Sequence, residues 1–344
     1  MARIVNKLAG GVNAAEIGRP ILLSRHPVSS GRLNMDIAST LTHFLLAAQR
    51  RRSGLTRKEI TISGGLRYAY LEGGQGEPLL MLHGFGANKD NFTPIARYLV
   101  PHYRVIIPDH MGFGESSHPQ ELDYAPPAQA ARLRVFMDAL GVNRFHLAGH
   151  SMGGQISLIY TSLYPGDVKT LWLIDPGGVV SAPKSERQKI VAEGQCNPLM
   201  ARNEEEFAAV ISFVMSKPPR IPRFMLKALA RERARNFDLE QRIYNGDVAY
   251  PVEPHVAGLQ TAALIIWGAE DRSHNPAGAE ILHGLLPQSQ VILLPSLGHM
   301  PMVEDPERCA SEYLKFQQSL TKSDRPFYTP TPHVGAGSAM CGAR

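Results

Sequence analysis

Ser151 stands in Gly149-His150-Ser151-Met152-Gly153, directly after Phe145-His146-Leu147-Ala148 and just before the run Gln155-Ile156-Ser157-Leu158-Ile159-Tyr160. A serine on so tight a strand-to-helix turn takes a strained backbone. Side chains at the flanking positions would collide, so glycine is needed on both sides. The turn pushes the hydroxyl out at the top of the sheet, and the helix starting there aims free N–H groups and its positive dipole end at any negative charge developing nearby. Such a residue is suited to nucleophilic attack through its oxygen.

A serine hydroxyl is a weak nucleophile at its own pKa. It needs a base within hydrogen-bond reach, and the base needs an acid that fixes its tautomer. Among the 13 histidines, His299 in Ser296-Leu297-Gly298-His299-Met300-Pro301 follows the last expected strand and precedes the final helix. It thereby completes the chain order nucleophile, acid, base that accompanies this elbow. His150 and His83 read as structural or pocket-lining; His26, His43, His102, His118 and His333 read as surface residues. For the acid, Asp271 ends Ile265-Ile266-Trp267-Gly268-Ala269-Glu270-Asp271, and Asp175 follows Leu173-Ile174. Asp271 is preferred because it lies in the loop after the strand that follows a helical insertion. Asp175 stands before Pro176-Gly177-Gly178 and reads as the cap of that turn, and Glu270 is a lesser alternative. An oxyanion formed at the serine would need donors aimed at it. The N–H of Met152 supplies one, and the N–H of Phe85 in His83-Gly84-Phe85-Gly86 is assigned as the second.

Competing chemistries find little support. His146 and His150 are four apart, but on a strand and a turn rather than one helix face, so no metal site is expected. Gly84-x-Gly86 and Gly112-x-Gly114 lack the lysine and context of a phosphate loop. No cofactor is expected.

The elements that must position these residues follow a clear rhythm. Short β-rich runs at 58–63, 66–72, 78–82, 103–108, 144–148, 168–174, 262–267 and 290–294 alternate with helical stretches at 127–140, 153–164, 276–286 and 305–320. That is an α/β pattern: a mainly parallel eight-stranded sheet covered by helices on both faces. Residues 178–257 break the rhythm with helical spacing and no apolar strand, and read as a helical cap between the two halves of the core, 57–177 and 258–322. Phe207, Val210, Ile211, Phe213, Val214 and Met215 are available there for an apolar pocket or simply for the cap's own core. Residues 1–56 read as an N-terminal extension ending in an amphipathic helix, with Ile37, Leu41, Phe44, Leu45 and Ala48 on one face and Arg50-Arg51-Arg52 at its end. The Pro/Gly/Ser-rich residues 323–344 read as a disordered tail.

The net charge of +5 is local: residues 1–58 hold ten basic against two acidic side chains, and the remaining 286 residues carry 26 basic and 29 acidic ones. Nucleic-acid binding by the main body is therefore not expected. Arg223, Lys227, Arg231 and Arg235 recur every four residues beside Phe224, Met225, Ala228 and Leu229. On a helix they form a basic ridge along an apolar face, and together with residues 35–58 they suggest peripheral contact with an anionic membrane. Cys196, Cys309 and Cys341 are odd in number and widely spaced, compatible with free thiols or one Cys196–Cys309 bridge. No stretch approaches the roughly 18 to 20 apolar residues of a membrane span, and no clear signal peptide opens the chain. A cytoplasmic or peripheral membrane location is expected.

Together, His83-Gly84-Phe85-Gly86-Ala87-Asn88-Lys89-Asp90-Asn91-Phe92, Asp109-His110-Met111-Gly112-Phe113-Gly114-Glu115-Ser116, Gly149-His150-Ser151-Met152-Gly153-Gly154 and Trp267-Gly268-Ala269-Glu270-Asp271 resemble the α/β-hydrolase superfamily. More narrowly, residues 45–320 resemble lipases of the Moraxella and Psychrobacter type and the related animal monoacylglycerol lipases, with Ser216-Lys217-Pro218-Pro219-Arg220-Ile221-Pro222 of the cap among the matching segments. The resemblance implies a triad of Ser151, Asp271 and His299, an acyl-enzyme mechanism, and fatty or acylglycerol ester substrates. Hydrolases that cleave carbon–carbon bonds, perhydrolases and hydrolase-fold receptors of small ligands share these motifs and are the alternatives.

Overall fold

The structure is a computed structural model and describes residues 37–248 and 250–323. The expected reading of residues 1–36 and 324–344, with His26, His333 and Cys341, lies outside the described residues. Cys196 is exposed, Cys309 is buried, and both are free thiols.

Eight strands form one sheet: β1 Thr56–Thr61, β2 Arg67–Gly73, β3 Glu77–Leu82, β4 Tyr103–Pro108, β5 Phe145–His150, β6 Val168–Ile174, β7 Ala263–Gly268 and β8 Ser289–Leu294. Their spatial order is β1-β2-β4-β3-β5-β6-β7-β8. β1 pairs with β2, and β2 with β4, in antiparallel fashion; the other pairs are parallel. The expected mainly parallel eight-stranded α/β sheet is therefore the one the chain forms.

The helices are α1 Ile37–Arg52, α2 Thr93–Leu99, α3 Pro126–Ala139, α4 Met152–Leu163, α5 Glu186–Ala192, α6 Glu204–Val214, α7 Arg223–Val248, α8 Glu253–Val256, α9 Gly278–Leu285, α10 Pro301–Glu304 and α11 Pro306–Ser323. No described helix is long and apolar enough to cross a membrane. Alternation along the strands divides the core into two layers, since successive side chains point to opposite faces. Leu80, Leu82, Ile265 and Trp267 face Leu133, Phe136, Ile156 and Leu282 of α3, α4 and α9. Leu79, Met81, Leu264 and Ile266 face Ile95, Leu99, Cys309 and Tyr313 of α2 and α11. Helix α2, which no period in the sequence singled out, closes this second layer.

The chain between β6 and β7 forms α5 to α8, with α6 packed on α7. Helix α1 packs on α7 as well. Its last turn is pinned by Arg50, which donates from Nε and Nη2 to the two carboxylate oxygens of Asp90 at 2.6 Å each. Asp90 neighbours Lys89, a lysine only 1% exposed whose Nζ lies 2.7 Å from Asp109 and 2.9 Å from Glu115. Burial acts to lower the pKa of that ammonium, but Asp109, Asp90 and Glu115 together hold it above its usual value.

Candidate active site

The elbow is built by steric exclusion. Ser151 has φ 53° and ψ −120°, outside the ordinary regions for an L-residue. Its backbone is held by Ser151 N–H donating to Ile174 O at 3.0 Å and by Gly177 N–H donating to Ser151 O at 2.9 Å. A Cβ at Gly153 would lie 2.2 Å from the carbonyl oxygen of Leu82, and one at Gly149 would lie 2.3 Å from that of Gly153. The glycines flanking the serine thus allow β3, β5 and α4 to approach more closely than side chains would permit.

Three loops at the same edge of the sheet bring the expected residues together. Ser151 Oγ lies 3.0 Å from His299 Nε2, and His299 Nδ1 lies 2.8 Å from Asp271 Oδ2. A carboxylate can only accept, so Nδ1 carries the proton and Nε2 is left free to accept from the serine hydroxyl. All three residues are buried. Asp271 also accepts from Trp267 Nε1 at 3.0 Å, Ser273 N at 2.7 Å and His274 N at 3.0 Å. Burial acts to raise the pKa of this carboxyl, but the His299 imidazole and the other donors bring it below the usual value.

Asp175 differs from its expected role. It does not cap its own Pro-Gly-Gly turn; instead Oδ1 accepts the N–H of Gly268 at the end of the neighbouring strand, at 2.8 Å. Complete burial, followed by the negative charge of Asp271, raises its pKa well above the ordinary carboxylate range. Its backbone φ is 44°, a second strained point at this edge. Glu270 is exposed, and its N–H donates to the carbonyl oxygen of Leu297 at 2.9 Å.

The N–H groups of Phe85 and Met152 donate to no group among the described residues. Gly84 lets the Phe85 loop approach: a Cβ there would lie 2.8 Å from His150 Nδ1 and 3.0 Å from Ser151 Cβ. His150 Nε2 donates to the carbonyl oxygen of His299 at 2.7 Å, a structural role at the pocket wall. Burial, followed by the nearby His299, keeps the pKa of His150 well below the usual imidazole value. His83 is likewise structural, its Nε2 accepting from the N–H of His110 at 2.9 Å.

Sequence reasoning missed three residues that support this cluster. The ring of His274 packs edge-on against His299 at 4.9 Å between centroids, and burial pushes its pKa down to about 3, so it is neutral. Asp271, His274 and His299 bring possible metal-ligand atoms within 4.8 Å of one another. A metal there would need a ring nitrogen of His299, and both already face partners, Asp271 at Nδ1 and Ser151 at Nε2, so it would compete with the serine arrangement. Arg233 is buried on α7 and donates from Nη1 to Gly86 O and from Nη2 to Leu199 O, each at 2.7 Å. Glu304 carries the loop around His299. The basic ridge drew attention to its exposed neighbours, while nothing in the spacing marked Arg233 or Glu304.

The serine opens into a cavity of about 550 Å³. Its walls include Phe207, Val210, Ile211, Val214 and Met215 of the insertion, Ile221, Met225 and Leu229 beyond them, and Leu46 of α1. Phe213, one of the six apolar residues noted in the insertion, does not line it. It is buried beneath the Arg272 guanidinium, 4.4 Å from the ring centroid.

A parallel sheet with an antiparallel edge, and a buried serine on a strand-to-helix elbow facing an imidazole, define an α/β hydrolase. The chain matches the model of the alpha/beta hydrolase fold family over residues 77–306 and belongs to that family. It is 40% identical to Lipase 1 of Psychrobacter immobilis over 292 residues, 83% of this chain and 91% of that one. It is 38% identical to Lipase 3 of Moraxella sp. (strain TA144) over 314 residues, 89% of this chain and 98% of that one. Among solved structures, a membrane phospholipase A described as a bacterial virulence factor superposes with a TM-score of 0.80 at 35% identity, covering 83% of this chain and 93% of that chain.

Proposed function

We propose that the protein is a lipase or esterase that cleaves fatty acyl or acylglycerol esters through an acyl-enzyme on Ser151. His299 takes the serine proton at Nε2 as Oγ attacks the ester carbonyl carbon. Asp271 holds the Nδ1 tautomer and stabilises the imidazolium. The oxyanion is received by the N–H groups of Phe85 and Met152, and loss of one such donor costs roughly 3 to 4 kcal/mol of barrier. Collapse expels the alcohol, which leaves with the proton from His299. Water then repeats the cycle on the acyl-enzyme and releases the fatty acid. The observation that carries this reading is the opening of Ser151 into a large cavity walled by Val210, Ile211, Val214 and Met225. The volume falls within the usual range of ligand sites, roughly 300 to 1,000 Å³, and suits a flexible hydrocarbon chain. Hydrolysis of p-nitrophenyl esters from acetyl to palmitoyl, with Ser151→Ala beside the wild type, tests it. Activity that rises with chain length and vanishes in the alanine variant is expected, and no activity above the variant at any length would refute it.

The same reading includes an anionic membrane surface as the source of substrate. Ile37 is 85% exposed and Phe44 62%, on the α1 face that also carries Leu41 and Leu45. Arg51 and Arg52 are exposed at the end of that helix, and Arg223, Lys227, Arg231 and Arg235 are exposed along α7. The two helices pack together, and both contribute to the cavity wall through Leu46, Met225 and Leu229. Apolar side chains flanked by cations at the cavity wall match an interfacial helix on anionic lipid. Co-sedimentation with phosphatidylserine-containing vesicles should exceed that with phosphatidylcholine vesicles. Replacing the four α7 cations by glutamine should abolish the difference, and indifference to both changes would end the proposal.

A further inference from the structure

The backbone of His299 is held on both sides of its ring. Its N–H donates to the carbonyl oxygen of Val214 at 2.8 Å, and its carbonyl oxygen accepts from His150. Val214 is the last residue of α6 and lines the cavity. Directly beyond it, the N–H groups of Ser216 and Lys217 both donate to Glu304 Oε2 at 2.8 Å. The other oxygen of the same carboxylate, Oε1, accepts the N–H of Gly298 at 3.0 Å, with that of Met300 at 3.4 Å. One carboxylate therefore ties Ser216 and Lys217, directly after the cavity-lining Val214 and Met215, to the residue before His299 and lies close to the residue after it. Gly298 is required for this approach, since a Cβ there would lie 2.8 Å from Ser216 N and 3.0 Å from Val214 O.

We infer that Glu304 is a positioning residue for His299: it latches the wall of the acyl cavity to the loop that carries the imidazole, so that a filled cavity and an aligned base are coupled. The inference rests on the reading of Ser151 and His299 as the reacting pair. Hydrogen bonds from N–H to a carboxylate are short and strong because the acceptor is charged. They also converge here on a single side chain with two oxygens, one serving each partner. Loosening either oxygen leaves the imidazole held by its ring contacts, by His150 and by a wall segment that can itself move.

Glu304→Gln isolates this role, because an amide nitrogen cannot accept and one of the two sides must lose its acceptor. A small misplacement of a catalytic group costs up to about a hundredfold in rate, so kcat should fall about ten- to a hundredfold on butyryl and palmitoyl esters alike. The ratio of kcat/KM for palmitoyl over butyryl esters should also fall, because the cavity wall is no longer fixed. Glu304→Asp, which keeps the charge with a shorter reach, should recover part of kcat. Wild-type kcat and chain-length ratio in a folded Glu304→Gln protein would overturn the inference. Should that variant not fold, hydrogen exchange of the wild type decides: the amides of Ser216, Lys217 and Gly298 are expected to open as one unit, and independent opening overturns the latch. Exchange of Ser151→Ala, measured in the same way, keeps the test separate from the catalytic reading.

Discussion

Arg233 Nη1 lies 2.7 Å from the carbonyl oxygen of Gly86, so a side chain of the helical insertion holds the loop that presents the Phe85 N–H. The same guanidinium has Nε 2.8 Å from Glu240 Oε2, with both groups almost wholly buried. Removing one partner of a buried pair is costly because the other is left unpaired, typically about 3 to 5 kcal/mol. Burial raises the pKa of Glu240 despite the opposing effect of Arg233, so an orphaned carboxyl can take up a proton, and the cost falls near about 3 kcal/mol. Arg233→Met is expected to lose that stability in urea titration and about ten- to a hundredfold in kcat. The double variant Arg233→Met/Glu240→Leu should recover stability without recovering kcat; recovery of both would show that Arg233 serves the fold alone.

The two carboxyls near His299 should respond very differently to amide replacement. Asp271→Asn offers the wrong group to His299 Nδ1, and kcat should drop by about 10⁴-fold. Asparagine at 175 keeps an oxygen that can still accept from Gly268, at a position where burial and the charge of Asp271 already oppose ionisation. Asp175→Asn should therefore change kcat at neutral pH by less than about tenfold, within the range of a lost modest hydrogen bond. Equal losses in steady-state assays would reverse the assignment of the acid.

The elbow glycines should be intolerant even of alanine. At Gly153 the added carbon meets the carbonyl oxygens of Leu82 and His83 at 2.2 and 2.6 Å, and the obstruction is backbone that cannot swing aside. Forcing a methyl group into a filled site costs about 1 to 3 kcal/mol and more where backbone must move. Thermal unfolding of Gly153→Ala should show a Tm several degrees below wild type, about 2 to 4 °C per kcal/mol for a chain of this size, together with loss of esterase activity. An active Gly153→Ala protein with the wild-type Tm would contradict this account of the elbow.

Acid sensitivity should trace partly to Glu115. Burial acts to raise its pKa, but Lys89 and Arg57 overcome this and bring it from 4.5 down to about 2. A folded-state pKa below the unfolded one means that the unfolded chain binds the proton first. The stabilisation is thus complete above pH 4.5 and is lost as pH falls toward about 2. Glu115→Gln should lower Tm at neutral pH, and the gap to wild type should narrow across this window. A constant gap at all pH values would show that the ion pairs contribute nothing.

Much of this arrangement is legible in the sequence. Glycines at 149 and 153 around Ser151 identify an elbow because only that backbone needs them, and β-rich runs alternating with helical ones determine the sheet. Period and spacing could not reveal α2, whose apolar residues only become a pattern once they face the second core layer. Asp175 and Asp271 are both candidates in the sequence, since each follows a buried strand, and only the place of Asp271 after the strand that follows the insertion favours it there. The distinction depends on which loop reaches His299, with Asp271 at 2.8 Å and Asp175 bonded instead to Gly268.

The sequence by itself determined the place of the elbow and the order of the elements, because backbone strain and hydrophobic period are local properties carried by neighbouring residues. Only the tertiary structure decided how His299 is held and what surrounds Ser151. Val214 meets His299, and Ser216 and Lys217 meet Glu304, across a long sequence separation, while Arg233 reaches Gly86 from a helix whose exposed cations form the evident pattern. Such contacts depend on the packing of distant segments, and no spacing along the chain encodes them.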